Sequence, residues 1–249
     1  LSLGKMDNSH YDLLATEARL ASYFAIAKHD APIEHWFAFN RPITRLHGKP
    51  SILSWNGSMF EYLMPPLFLP SYRDTLLGES ELTAVEFQRD YALKRGVPWG
   101  ISESAFGMTD AMGTFQYRAF GVPGLGIRRG LTEDLVIAPY GAALALCGWP
   151  QAASENLQAL AERGALTPYG FIDALDFTPE RAAQNADFVP VTTFMAHHQG
   201  MIQTAIVNAL CDNVMVNRFL SEKPMRAMDL LLQERVPWNE QLELGRADE

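Results

Sequence analysis

Two carboxylates stand out by what surrounds them. Glu103 lies in the stretch Pro98-Trp-Gly-Ile-Ser-Glu-Ser-Ala-Phe106, between Ser102 and Ser104, with Trp99 and Phe106 just beyond and Gly100 and Gly107 punctuating the backbone. Aromatic faces stack on pyranose rings and polar groups bind their hydroxyls, so such a loop suits a sugar. A well-packed loop carrying a surface Glu is the plainer reading, since loops carry function only on average. Flanking hydroxyl and N–H groups would keep Glu103 ionised, as a nucleophile or base needs. Glu17 is the complementary case. Read on a helix, its neighbours are Leu13, Leu14, Leu20 and Ala21, an apolar face. Ionisation there is costly, the pKa rises, and the group suits proton donation at neutral pH. The plainer reading is a Glu paired with an Arg from another helix. Two carboxylates in contrasting environments are the pattern of an acid/base pair, and such a pair serves glycoside chemistry.

Other groups compete for chemical roles. Ser58-x-x-Glu61 ahead of Tyr62-Leu-Met64 fits a capping box, which makes Glu61 structural; its rival role is in the catalytic pair. Asp173 and Asp176 flank Ala-Leu in a loop with Tyr169 and Phe171 and suit sugar hydroxyls or catalysis. Thr178-Pro179 suggests a helix start. His197-His198 is a poor metal site, because adjacent helical residues point ~100° apart and no HExxH or Cys pattern accompanies them. A hydrogen-bonding role at a helix start suits one of them, with Gln199. Gly121, Gly124 and Gly126 lack the spacing of a dinucleotide fingerprint, and Ser58 and Ser104 lack a nucleophile-elbow setting.

Elements must position these groups. The chain has 249 residues, 48% hydrophobic and 11% aromatic, enough for a sizeable core in one or at most two domains. Its net charge of −9 argues against nucleic acid and anionic membrane surfaces. Cys147 and Cys211 read as core residues or free thiols, in keeping with a reducing compartment. Apolar runs are too short for a membrane span. The spacing predicts a helix from about Ser9 to Lys28, buried on most sides and capped by Asn8 or Ser9, with Asp12 in its first turn and Asp12, Thr16 and Arg19 sharing a polar face. A loop over Arg41–Pro50 follows, then a helix after Ser58, and an outer amphipathic helix over Thr75–Arg95 closed by Gly96. A long Gly- and aromatic-rich connection, Trp99 to about Pro139, has room for short strands. Helices over Tyr140–Cys147, Gln151–Arg163, Met201–Cys211 and Pro224–Glu234 complete the pattern. Apolar helices alternating with amphipathic ones suggest hairpins, buried helices inside and amphipathic ones outside. Seven or eight helices, against the twelve of a closed toroid, suggest an incomplete one with its early hairpins upstream of Leu1; a plain helical bundle is the structural alternative.

At these residues the chain resembles a known family. Tyr11-Asp-Leu-Leu-Ala-Thr-Glu-Ala-Arg19, Glu34-His-Trp-Phe37, Ser54-Trp-Asn-Gly-Ser-Met-Phe-Glu-Tyr-Leu-Met-Pro65 and Val97-Pro-Trp-Gly-Ile-Ser-Glu-Ser104 are similar to the glycoamylase-like domain of cyclic β-1,2-glucan synthases. So are Tyr117-Arg-Ala-Phe-Gly-Val-Pro-Gly-Leu-Gly126, Ala196-His-His-Gln-Gly-Met201 and Leu230-Leu-Leu-Gln-Glu-Arg-Val-Pro237. The match covers nearly the whole chain; Thr16, Ile172 and Asp173 stand where the family usually has Ser, an aromatic and Glu. The resemblance implies an all-α (α/α)6 toroid over residues 1–249, without a cofactor, that acts on a β-1,2-linked glucan by retaining transglycosylation and closes it into a ring. It implies Glu103 as nucleophile and Glu17 as acid/base. Trp99, Tyr117, Arg118, His197 and His198 are expected to line the subsites, with Asp12, Trp55, Glu61, Asp173, Asp176 and Gln199 as further glycan-binding candidates. It also implies an upstream glycosyltransferase region with membrane spans, a downstream phosphorylase-like domain, and a soluble segment on the cytoplasmic side of a bacterial inner membrane. The rival activities are an endo-β-1,2-glucanase using the same cleft, with water as acceptor, and a module that only grips the glucan.

Overall fold

Helices do not account for this chain alone. The structure is a computed structural model that describes residues 12–235. In chain order it contains α1 (Arg19–Ala27), α2 (Glu34–Ala38), the hairpin β1 (Ile43–Leu46) and β2 (Lys49–Ile52), α3 (Met59–Leu63), α4 (Leu76–Leu93), and the hairpin β3 (Ser104–Thr109) and β4 (Phe115–Arg118). There follow β5 (Val136–Ile137), α5 (Pro139–Ala143), α6 (Pro150–Glu162), the hairpin β6 (Leu166–Thr167) and β7 (Gly170–Phe171), β8 (Ala174–Asp176), β9 (Val189–Val191), α7 (Ala196–Leu210), α8 (Val214–Ser221) and α9 (Lys223–Ala227). Three 3₁₀ segments, Pro65–Leu67, Leu144–Cys147 and Asp229–Gln233, extend or join helices. Among the described residues no helix is long and apolar enough to cross a membrane.

The all-α expectation is therefore corrected: the fold is helix-rich, with four small antiparallel sheets between the helices. The connections run through buried ground, where each backbone N–H and C=O needs a partner, and short β-ladders supply it. Arg41–Pro50, read as a loop, belongs largely to the β1–β2 hairpin, in register Ile43↔Ile52 and Leu46↔Lys49. His47 and Gly48 both take positive φ, 50° and 78°, the geometry a two-residue I′ turn requires. Thr178 starts no helix; its hydroxyl instead accepts the Leu135 N–H at 2.9 Å.

The helix expected over Ser9–Lys28 begins only at Arg19, and its expected caps Asn8 and Ser9 lie outside the described residues. The cause is backbone pairing. Leu14 N donates to Asn40 O at 3.0 Å and Asn40 N to Asp12 O at 2.6 Å, which holds residues 12–14 extended. Thr16 Oγ1 then takes the Ala18 N–H. Glu17 thus sits in a turn leading into α1. The expected layering is corrected too. In α4 ten of 18 residues are buried, against four of nine in α1. Polar residues of α4 point inward and are satisfied there: Ser80 Oγ accepts the Ile52 N–H, and Gln88 bonds both the N–H and the C=O of Ile101. Thr75 caps α4 by accepting the Gly78 N–H. Cys147 and Cys211 are free and exposed, not core.

Candidate active site

The β3–β4 hairpin builds one half of the site. Ala105 pairs with Tyr117, so Glu103, two residues before Ala105, is the diagonal neighbour of Tyr117 on the same face. The Tyr117 hydroxyl donates to Glu103 Oε1 at 2.8 Å. The serines expected to hold Glu103 do not. Ser102 Oγ accepts the Phe60 N–H and bonds the Tyr140 hydroxyl, while Ser104 Oγ is buried without a protein partner.

Behind the hairpin, Asp173, just before β8, and Asp176, at its end, turn carboxylates to the free edge of β3. Asp173 Oδ2 accepts the Ala105 N–H at 2.7 Å, and Asp176 Oδ2 accepts the Gly107 N–H at 2.8 Å. Alternate N–H groups on that edge have no strand to pair with, and a carboxylate satisfies each. The other Asp173 oxygen lies 2.6 Å from His198 Nδ1, with both side chains fully inside. Tyr140, in α5, stacks on the His198 ring with centroids 3.8 Å apart and planes at 10°. Its hydroxyl bonds the Glu103 carbonyl at 2.8 Å. Burial, first of all, pushes the Tyr140 hydroxyl well above its ordinary pKa, so it stays protonated. His198 Nε2 stands 3.3 Å from the Tyr117 hydroxyl, and exposed His197 reaches the same oxygen at 3.4 Å. Burial lowers the His197 pKa, with the charge of His198 acting in the same direction.

Glu17 forms the other half. It is half-buried, and burial is the largest influence raising its carboxyl above the ordinary value. The negative charges of Glu61 and then Glu103 act in the same direction, so Glu17 and Glu103 lie within electrostatic reach of each other. The expected contrast of environments holds for Glu17, although desolvation in a turn replaces the apolar helix face as its source. Arg19 anchors this turn. Its guanidinium is buried and donates to Thr16 O at 2.9 Å, Glu61 O at 2.7 Å, Tyr62 O at 2.7 Å and Glu81 Oε1 at 2.8 Å. It belongs to no wet face shared with Asp12 and Thr16.

The remaining candidates divide between surface and interior. Trp55 is 44% exposed, and its indole N–H reaches Asp12 Oδ1 at 3.1 Å. Arg118 pairs with Asp134 at 3.1 Å. Gln199 Nε2 donates to Phe171 O at 2.8 Å. Four candidates face inward. Glu61 completes the capping box and also takes the Ser54 hydroxyl and the Asn56 N–H. Asp176 is saturated by Gly107, Thr178 and Arg181. Asp173 is held by Ala105 and His198. Trp99 packs between α4 and α6, its backbone doubly bonded to Asn156. The carboxylate oxygens of Glu61, Asp173 and Asp176 are engaged by protein partners, and Trp99 is buried. Sequence reading missed Arg19 and Tyr140 as organisers; an Arg and a Tyr inside otherwise apolar helical runs were the available signal.

With this geometry in place, comparison identifies the lineage. The Glycoamylase family model, described as "Putative glucoamylase", matches residues 9–223, and the chain belongs to that family. Within it, the chain is 44% identical over 237 residues to the cyclic beta-(1,2)-glucan synthase NdvB of Rhizobium meliloti strain 1021. That match covers 95% of this chain and 8% of the relative, so the chain spans a small part of that protein's length. Among solved structures, a "putative glucoamylase" from Bacteroides caccae is similar with TM-score 0.63 and 18% identity, covering 88% of this chain and 54% of that one. An endo-beta-1,2-glucanase from Chitinophaga pinensis, solved with sophorotriose and glucose, is similar with TM-score 0.57 and 20% identity, covering 79% and 47%. At these identities the two structures speak for the fold alone.

Proposed function

We propose that this chain is a glycan-processing catalytic domain acting on β-1,2-linked glucan, and that it works by retaining transglycosylation. The observation that carries the reading is the pair of carboxylates within electrostatic reach of each other, one raised and one held by a hydroxyl donor. Sequence similarity to a cyclic beta-(1,2)-glucan synthase supplies the substrate class. Glu103 attacks the anomeric carbon with the oxygen that Tyr117 leaves free. Glu17, whose proton is retained more readily than in an ordinary Glu, protonates the departing glycosidic oxygen. The same Glu17 then takes the proton of the incoming hydroxyl, which displaces Glu103 and restores its carboxylate. When that hydroxyl belongs to the far end of the same glucan, the product is a ring. In the same reading the helices form part of an (α/α)6 toroid within a larger membrane-anchored polypeptide.

The same carboxylate pair serves one second reading, hydrolysis with water as acceptor. The test is incubation of the full-length protein with linear β-1,2-glucan, followed by mass analysis of the products and NMR of the anomers formed. Rings or lengthened chains with retained β configuration are expected. Shorter linear glucan alone selects hydrolysis, and an unchanged glucan removes the catalytic reading.

A further inference from the structure

Tyr117 has one hydroxyl proton and three polar neighbours. At 2.8 Å the proton goes to Glu103 Oε1. The phenol oxygen then faces His198 Nε2 at 3.3 Å with its lone pairs, and a bare ring nitrogen there would oppose it. The contact is favourable when Nε2 carries a proton. His198 Nδ1 also needs one, to donate to Asp173 at 2.6 Å. A second arrangement uses the same number of protons. Glu103 is then neutral and donates to the Tyr117 oxygen, Tyr117 donates to His198 Nε2, and only Nδ1 of the ring is protonated. The two arrangements differ by moving one proton from Glu103 to Tyr117 and another from Tyr117 to His198.

We propose that Asp173, His198 and Tyr117 form a proton relay that orients Glu103 and holds it ionised, the buried Asp173–His198 pair receiving the proton that Glu103 gives up. The proposal rests on the reading of Glu103 as nucleophile. The pair is fixed in place from several sides. The Ala105 N–H holds Asp173, Tyr140 stacks on the imidazole, and the Tyr140 hydroxyl bonds the Glu103 carbonyl. The groups facing His198 are Asp173 from the start of β8, Tyr117 from β4, Tyr140 from α5 and His197 from its own helix. Asp173 is the carboxylate in direct contact with the ring. On the other side, Glu103 shares its surroundings with the like charge of Glu17. A cation one hydroxyl away from Glu103 offsets that repulsion. The relay also suits the second half of the reaction, when Glu103 leaves the sugar and its negative charge returns. Tyr117, His198 and Asp173 are positioning residues here, since they act through Glu103.

The test compares wild type with His198→Gln, which keeps a neutral N–H donor without a charge, and Tyr117→Phe, which cuts the relay. Both are made in the full-length protein. On β-1,2-glucan the acid limb of the kcat/KM profile is expected to move upward by about one pH unit in each variant. For Tyr117→Phe kcat falls about 10²-fold, the scale of losing one positioned donor, with KM changed little. A uniform fall across all pH values, with no movement of the acid limb, overturns the relay and leaves His198 a packing residue. A second readout needs no substrate. A water-soluble carbodiimide labels protonated carboxyls, and mass spectrometry follows Glu103 labelling against pH. The midpoint is expected to rise in both variants, and an unchanged midpoint overturns the relay. If wild type leaves the glucan untouched while the labelling midpoints shift as expected, the glucan reading fails and the relay stands.

Discussion

Removing the Arg19 side chain is expected to be among the most damaging single changes in this chain. Its guanidinium is 2% exposed and its partner Glu81 8% exposed, so the pair is out of water. Two of its acceptors, Glu61 O and Tyr62 O, are carbonyls near the C-terminal end of α3, where the helix provides no N–H. A cation there also meets the negative end of that helix. In Arg19→Met these carbonyls lose their donor, and Glu81 keeps only Ser71 Oγ as a hydrogen-bonding side-chain partner. Breaking a buried ion pair from one side costs ~3–5 kcal/mol. Each stranded buried carbonyl adds about 1 kcal/mol at the low end of the range for a lost partner. Solvent entering the gap and protonation of Glu81 offset part of this, so the expected loss is about 4 kcal/mol, much of a domain's ~5–15 kcal/mol. Glu81→Gln preserves an acceptor for Arg19 and a site for Ser71, and its loss should be nearer ~2 kcal/mol. Urea unfolding followed by tryptophan fluorescence measures both. An Arg19→Met variant within about 1 kcal/mol of wild type refutes the reasoning, and so does a Glu81→Gln variant that is the worse of the two.

Glu61→Gln tests how much Glu61 does beyond capping. An isolated capping box accepts Gln, but here both oxygens face donors, Asn56 N–H on one and the Ser54 and Ser58 hydroxyls on the other, so an amide NH₂ opposes one set; an expected loss of ~1–3 kcal/mol is read by the same unfolding assay. Gly121→Ala puts a Cβ 1.7 Å from Asn56 O, a backbone atom that cannot swing aside, so the loop beside Glu61 must move; soluble yield and melting temperature should both fall, and a wild-type melt counts against the close approach. Glu17→Gln should abolish turnover while stabilising the chain at neutral pH. The sign follows from the raised pKa: the folded state holds the Glu17 proton more tightly than the unfolded chain, so stability present below the unfolded value of 4.5 is lost as pH rises through the raised folded value. Gln never ionises, and the variant's advantage should be absent at acid pH and appear above that window in a pH series of urea midpoints.

What the sequence made legible was local chemistry. The helix after Thr75, the Ser58–Glu61 box and the helix after Trp149 all depend on residues within a few positions of each other, and all are present. The turn bearing Glu17 was not legible, because its conformation is imposed by Asn40, a partner outside any helical window. Arg19 was read as part of a wet face because its four acceptors come from a preceding turn, from α3 and from α4. The hairpin around His47 and Gly48 was hidden by Pro42 and Pro50, which break the alternation a strand should show. Asp173 could be singled out as a carboxylate, but its partner Ala105 is 68 positions away. Strand alternation would place Tyr117 beside Glu103 only once the pairing of Ala105 with Tyr117 is known.

The site concentrates like charge and balances it from behind. The charges of Glu61 and Glu103 add to burial in raising the Glu17 carboxyl, in a chain that already carries −9. Each is managed differently. Glu61 is neutralised by a ring of N–H and hydroxyl donors, and its role ends in shaping the loop. Glu17 keeps little beyond the Thr16 hydroxyl, so its burden appears as a raised pKa. Glu103 is given Tyr117, and behind Tyr117 an imidazole anchored by a buried aspartate. That division follows from the architecture. Burial in a turn leaves one carboxyl prone to keep a proton, while a β-hairpin backed by β8 and α7 gives the other the Tyr117 hydroxyl. The contrast between the two carboxylates thus resides in which elements stand behind each: Asp173 and His198 are buried behind the hairpin, while Tyr117 carries their influence to the exposed side.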